Sequence, residues 1–226
     1  MYRTLLILLV TLAWGWAAQP CCAQDFDQEK LVRLKAAFIY NLMKFTKWPD
    51  TAFTDEQAPI VVGAIGESPV IEVFEAAVAK RTVGGRAIAV RHVIYPSSPA
   101  ATAPDRQQRM LEYQQATAQI GRKLADCHVV YVSPSARPQW DEMRKAMRGR
   151  GVLTISDSPA FADEFGMVEI TLNEDGTRLA MRINMVAVEQ TELRISSQVM
   201  NLATVVRSDD PDRPASPDVE PKGDRS

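Results

Sequence analysis

The residues able to do chemistry are few, and their neighbours limit what that chemistry could be. His92 and His128 each lie in or beside an apolar run. An imidazole so placed is more often a hydrogen-bonded structural group than a base or a ligand. Cys127 borders the run "HVVYVS" and reads as a small buried hydrophobe, with an intermolecular disulfide as the alternative. "GESPV" lacks the closing glycine of a nucleophile elbow, and no H-E-x-x-H, C-x-x-C or P-loop is present. "DEFGM" contains a D-x-F-G without any of the other kinase signatures. No catalytic residue, no metal site and no cofactor is therefore expected.

Five serines share a position if the fold is right. Should "IVVGAI" (60–65), "HVVYVS" (128–133) and "GVLTISD" (151–157) be parallel strands, Ser68, Ser133, Ser135, Ser156 and Ser158 meet at one rim. Open α/β sheets bind ligands at that rim, and helix N-termini there favour anions. Helix capping accounts for Ser68, Ser135 and Ser158 without any ligand. A hydrolase built on a rim serine is a third and weaker reading.

The elements that would position these residues alternate in type. Glu29 to Lys47 has helical periodicity, with Leu31, Leu34, Phe38, Leu42 and Phe45 as one stripe, widened by Val32, Ala36, Ile39 and Met43. Pro49 ends it by driving Trp48 out of the α region. The apolar arc is wider than one sheet face would cover. Arg33, Lys44 and Lys47 lie on the remaining side, flanked by Tyr40, Trp48 and Phe53. An aromatic anchor with a basic rim suits a protein partner, so Arg33, Tyr40, Lys44, Lys47 and Trp48 form a candidate contact surface. Burial as ordinary core, with Trp48 as a lid, explains the same residues. So does a homodimer.

Ser68-Pro69 supplies an N-cap and a first-turn proline for a helix to Lys80, and Gly84-Gly85 turns the chain into "AIAVRHVI" (87–94). A helix from about Asp105 to Ala125 follows, then the strand at 128–133, a helix in "SARPQWDEMRKAMR" with Ser135 as its cap, and the strand at 151–157. This alternation predicts a single α/β domain with a mostly parallel sheet and helices on both faces. "GMVEITLNEDGTRLAMRINMVAV" adds a C-terminal antiparallel hairpin around Asn173–Gly176. A last helix is expected from Ser196 to Val206, with Val199, Leu202, Val205 and Val206 inward.

At the ends, Arg3, the apolar run "TLLILLVTLAWGWAA" and the small residues Cys21 and Ala23 read as a signal peptide over 1–23, cut before Gln24. An uncleaved anchor is the alternative. Residues 24–206 form the domain, and the proline-rich stretch 207–226 reads as a disordered tail. Export leaves Cys127 as the one remaining cysteine, so no internal disulfide can form. With 24% charged residues, a formal charge of −2 and no Lys/Arg-rich block, nucleic acid is not an expected partner.

Three segments in order are similar to the YfiR-like periplasmic family. They are "LKAAFIYNLMKFTKWP", then "DCHVVYVS" with "GVLTISDSPAFADEFGMVEI", and last "RINMVAVEQTELRISSQVMNLATVV", together spanning Leu31 to Val206. The chain departs from the pattern at Phe165-Gly166, where many relatives carry Gly-Gly, and in its cysteine usage. The resemblance implies a regulator, not a catalyst. Such proteins hold down an inner-membrane diguanylate cyclase by binding its periplasmic sensor domain, and an outer-membrane lipoprotein can draw them away. A periplasmic small-ligand binder serving a sensor kinase or an outer-membrane receptor is the competing expectation.

Overall fold

The computed structural model describes residues 22–96, 104–147, 149–173 and 175–209. The expected signal peptide (1–23), except its last two residues, and the expected tail (207–226), except its first three, lie outside the described residues.

In chain order the first elements are α1 (Cys22–Lys44), β1 (Thr46–Lys47), a 3-10 turn (Asp50–Ala52), β2 (Ile60–Ile65), α2 (Pro69–Val78), β3 (Thr82–Val83) and β4 (Arg86–Val93). Next come α3 (Arg106–Ala125), β5 (Val129–Val132), a second 3-10 turn (Pro134–Gln139), α4 (Trp140–Met147) and β6 (Leu153–Ser156). The chain continues with β7 (Val168–Leu172), β8 (Leu179–Asn184), α5 (Met185–Glu189), β9 (Arg194–Ile195), α6 (Ser197–Met200) and β10 (Thr204–Val206).

The main sheet has the order β10-β8-β7-β6-β5-β2-β4-β3. Its neighbours are parallel except in the hairpins β3–β4 and β7–β8. The mixed α/β sheet and the antiparallel hairpin agree with the sequence expectation. Both β5 and β6 are buried at every residue, which is why they read as continuous apolar runs. Successive side chains alternate between the faces. Val129 and Tyr131 join the core under α1 and α2, while Val130 and Val132 join the core under α3 and α4. Gly84 and Gly85, both at positive φ, form the two-residue turn of β3–β4 that side-chain-bearing residues would strain.

Two expected helices end early, for one physical reason. α1 stops at Lys44, and Thr46–Lys47 instead pair with Ile195 and Arg194 as an antiparallel ladder. The Thr46 hydroxyl donates to the Leu42 carbonyl at 2.8 Å, closing the helix end. The last helix covers only Ser197–Met200, and Thr204–Val206 form a strand parallel to β8. Leu202 therefore points outward, 81% exposed, and Val205 is also exposed. In both places a ladder partner distant in sequence overrides helical spacing.

The start of the expected tail is tied down. The Ser208 carbonyl accepts from Asn184 Nδ2 at 3.1 Å, and Arg207 pairs with Glu189. Phe165, where the family resemblance leads one to expect glycine, has φ 66°, a left-handed conformation that glycine adopts freely. Its ring is buried, which offsets the strain.

Candidate functional site

Two surfaces follow from this topology. The first is the serine-bearing rim at the carboxyl ends of the strands. From β2 the chain crosses through α2 to β4 on one side, then returns through α3 to β5 on the other. The strand order thus reverses between β2 and β5, the place where such sheets open a crevice. A cleft of about 440 Å³ lies there, with Gly66, Glu67, Ser68, Glu72, Tyr95 and Ser135 among its lining residues.

The structure divides the five serines. Ser68 and Ser135 line the cleft, Ser68 buried at its wall and Ser135 exposed, whereas Ser133, Ser156 and Ser158 are buried and do not line it. Ser68 caps α2 as expected, accepting from Val70 N at 3.2 Å. Ser135 caps no helix: it sits within the 3-10 turn, and its Oγ lies 2.8 Å from that of Ser133. Ser156 donates to the Val132 carbonyl at 2.7 Å and accepts from Ser158 N at 3.0 Å. Ser158 also caps no helix, because turns follow it, and its hydroxyl has no partner among the described residues. Among the described residues, the lining of the cleft carries Glu67 and Glu72 but no Lys or Arg. Those carboxylates oppose the pull of the α2 N-terminus on an anion.

Beneath the rim runs a polar chain that sequence reading missed. Lys35 on α1 reaches Asp157 Oδ2 at 2.8 Å, and Tyr131 donates to Asp157 Oδ1 at 2.6 Å. The Tyr131 hydroxyl in turn lies 3.0 Å from Ser68 Oγ. Burial, then the Asp157 charge, push the Tyr131 phenol far above its ordinary value, so it stays protonated and serves as a donor. No spacing signal could have joined Lys35 to Asp157 across 122 residues of chain. A second network holds the loop before β7. Arg182 binds Asp163 through both nitrogens at 2.8 and 2.6 Å and meets buried Glu169 at 3.1 Å. Glu169 and Arg182 stand opposite each other in the β7–β8 register, so pairing the hairpin from sequence would have found them.

The remaining reactive groups are structural. His128 Nδ1 accepts from Val61 N at 3.1 Å, and its Nε2 lies 3.0 Å from the Ala52 carbonyl, which fixes a neutral imidazole. Its burial lowers the pKa. His92 pairs with Glu75 at the surface. Cys127 is buried, with its thiol pushed up to about 11 by desolvation. Among the described residues no three His, Cys, Asp or Glu side chains gather to hold a metal ion.

The second surface belongs to α1 and divides the predicted contact residues. Arg33, Tyr40 and Lys44 line a groove of about 710 Å³ between α1 and α2. Arg81, just past α2, joins them and was not foreseen. Tyr40 donates to the Thr82 carbonyl at 3.2 Å, and its ring lies 5.8 Å from Lys44 Nζ and 5.1 Å from the Arg81 guanidinium. Arg33 is paired with Glu29, but Lys44 and Arg81 have no carboxylate partner among the described residues.

Lys47 and Trp48 are elsewhere, because α1 ends before them. They line a separate depression with Glu192 and Arg194. The Trp48 indole donates to the His128 carbonyl at 3.1 Å, and Phe53 stacks on the His128 ring at 4.5 Å. Trp48 thus acts as the lid over the amino end of the sheet. On α1 itself, Ala36, Ile39, Leu42 and Met43 are buried, while Leu34 and Phe45 remain 43% and 37% exposed.

Among solved structures, the chain is similar to a conserved domain protein from Vibrio cholerae O1 biovar El Tor, with 13% identity and a TM-score of 0.48. That alignment covers 77% of this chain and 59% of the other, so less than two thirds of the neighbour is spanned. None of the curated proteins matches the chain. The sequence profile of the YfiR/HmsC-like family matches residues 32–204, running from α1 to the first residue of β10. The chain therefore belongs to the YfiR/HmsC-like family.

Proposed function

We propose that this chain is a periplasmic regulator without chemistry of its own, which binds the periplasmic sensor domain of an inner-membrane diguanylate cyclase and holds the enzyme inactive. Family membership supports regulation, and one observation carries the docking claim. The α1–α2 groove presents an alanine-rich apolar lining beside Lys44 and Arg81, cations without a carboxylate partner among the described residues, while Leu34 and Phe45, outside the groove, stay partly uncovered on α1. A solvated helix gains nothing from that combination, whereas a protein contact uses both parts of it. To repress, the regulator must prefer the inactive conformation of its target by ~5 kcal/mol for a decisive shift. An outer-membrane lipoprotein competing for the same protein would relieve repression. In this reading residues 1–23 direct export, 24–206 form the binding body with Arg207 and Ser208 tied to it, and the rest of 207–226 acts as a spacer.

Deleting the gene tests the proposal. Cyclic-di-GMP and matrix production rise in the deletion strain and return to their starting levels when the full chain is restored. Unchanged cyclic-di-GMP in that strain overturns the reading.

The cleft at the β2–β5 reversal favours a second reading, a small-ligand-binding protein serving a sensor kinase or an outer-membrane receptor. Its support is position and shape, with Ile94 standing 89% exposed at the lip. A thermal-shift screen of metabolites separates the two, since a ligand in the cleft raises the melting temperature.

A further inference from the structure

The groove between α1 and α2 narrows the choice of partner. Its floor is small and apolar, formed by Ala36, Ala37, Ala76 and Ala77 with Val73 and Val78. Alanines on two neighbouring helices let a third helix approach to the ~8–10 Å axis separation of packed helices. The edges are cationic: Lys44 and Arg81 line the groove together with Arg33, which Glu29 pairs, and no carboxylate among the described residues lines it, in a chain whose formal charge is −2. Tyr40 stands between Lys44 and Arg81 with its hydroxyl tied to Thr82, so the ring and the cations above it are held in place before any partner arrives.

We infer that this groove seats an acidic amphipathic helix of a protein partner, its apolar stripe on the alanine floor and its carboxylates on Lys44 and Arg81. The inference rests on the regulatory reading above and adds the chemistry of the contact. A helix is the fitting element because the groove walls are helices and offer no strand edge, so the occupant must satisfy its own backbone hydrogen bonds. A flat anionic lipid surface would meet the flanking cations but has no ridge to seat between the two helices. The chain's own residues 210–226 and a second copy of the chain are the other occupants that the test separates.

The test places a photo-crosslinking amino acid at Ala77 in the full-length protein, irradiates living cells, and identifies the adduct by mass spectrometry. The expected adduct is a peptide from the extracytoplasmic part of a membrane protein, with apolar residues at helical spacing and excess Asp and Glu. Its yield falls at least about tenfold in Lys44→Glu/Arg81→Glu and recovers when the facing carboxylates of the partner are changed to lysine. A lipid adduct, a link to residues 210–226 or to a second copy, a peptide without net negative charge, undiminished yield in the double variant, or no adduct at all overturns it. Circular dichroism of the double variant verifies that it is folded. The regulatory reading fails by a different route, through unchanged cyclic-di-GMP on deletion, which leaves the identity of the adduct to decide the groove.

Discussion

The rim and the groove lie at opposite ends of one helix, and they differ in how completely their polar groups are used. Ser68 at the start of α2 is bonded to Val70 N and lies beside Tyr131, which continues to Asp157 and Lys35. Past the end of α2, the Arg81 guanidinium meets, among the described residues, the face of Tyr40 and no carboxylate. Polar groups engaged with one another hold a fold together; cations and apolar side chains left unengaged are available to a partner. The rim therefore reads as architecture and the groove as the working surface. Changes in the rim network should cost stability, while changes in the groove should cost binding.

The largest expected effect lies in the rim network. Lys35 and Asp157 are each at most 15% exposed, so Asp157→Ala leaves a cation and a phenol without their partner. Urea denaturation should show a loss of roughly 3 kcal/mol. A loss below ~1 kcal/mol would remove the network from the account of stability. Next comes Gly166→Ala. A Cβ there would sit 2.3 Å from the Phe161 ring, which packs on Trp140 at 4.5 Å, and the clash should cost about 2 kcal/mol by thermal melting.

Acid supplies a third and smaller effect. The neutral His128 ring accepts from Val61 N, and burial lowers its pKa below the ordinary histidine value of 6.5. The unfolded chain takes up a proton near that value and the folded chain resists it, so the unfolded state binds more protons in that window. Unfolding free energy should be full above pH 6.5 and decline as the pH falls through the lowered folded value, measured by urea titration at pH 7.5 and 5.5. Rising stability on acidification would mean that the imidazolium is the folded form.

The smallest effect is expected at Ser158. Its buried hydroxyl has no partner among the described residues, so Ser158→Ala should be neutral or slightly stabilising. A loss above ~1 kcal/mol, or a ligand-dependent melting shift abolished by the change, would return the rim to the list of working surfaces.

What could be read from sequence follows the same division. β5 and β6 are covered on both faces, so they appear as unbroken apolar runs, and the β7–β8 hairpin announces itself through Asn173 and Gly176. Arg33, Tyr40 and Lys44 share one side of α1 by helical spacing, and three of the four cationic and aromatic groove residues were legible for that reason. Arg81 was not, because it comes from the turn after α2 and joins the others only through packing. Lys47 and Trp48 were placed beside them only because the helical pattern was carried past Lys44. The ladder of Thr46 with Ile195, which ends that pattern, leaves no local trace. The serines were visible as a group, but their internal bonding depends on strand register and side-chain direction.

The most direct measurement compares the two surfaces inside one cell. A deletion strain is complemented with the full chain carrying either the groove change Lys44→Glu/Arg81→Glu or the cleft change Glu67→Gln/Ser135→Ala, and cyclic-di-GMP is quantified in each. If the groove is the working surface, the groove variant leaves cyclic-di-GMP at the level of the deletion and the cleft variant restores it to the wild-type level. Restoration by the groove variant together with failure of the cleft variant would contradict that assignment.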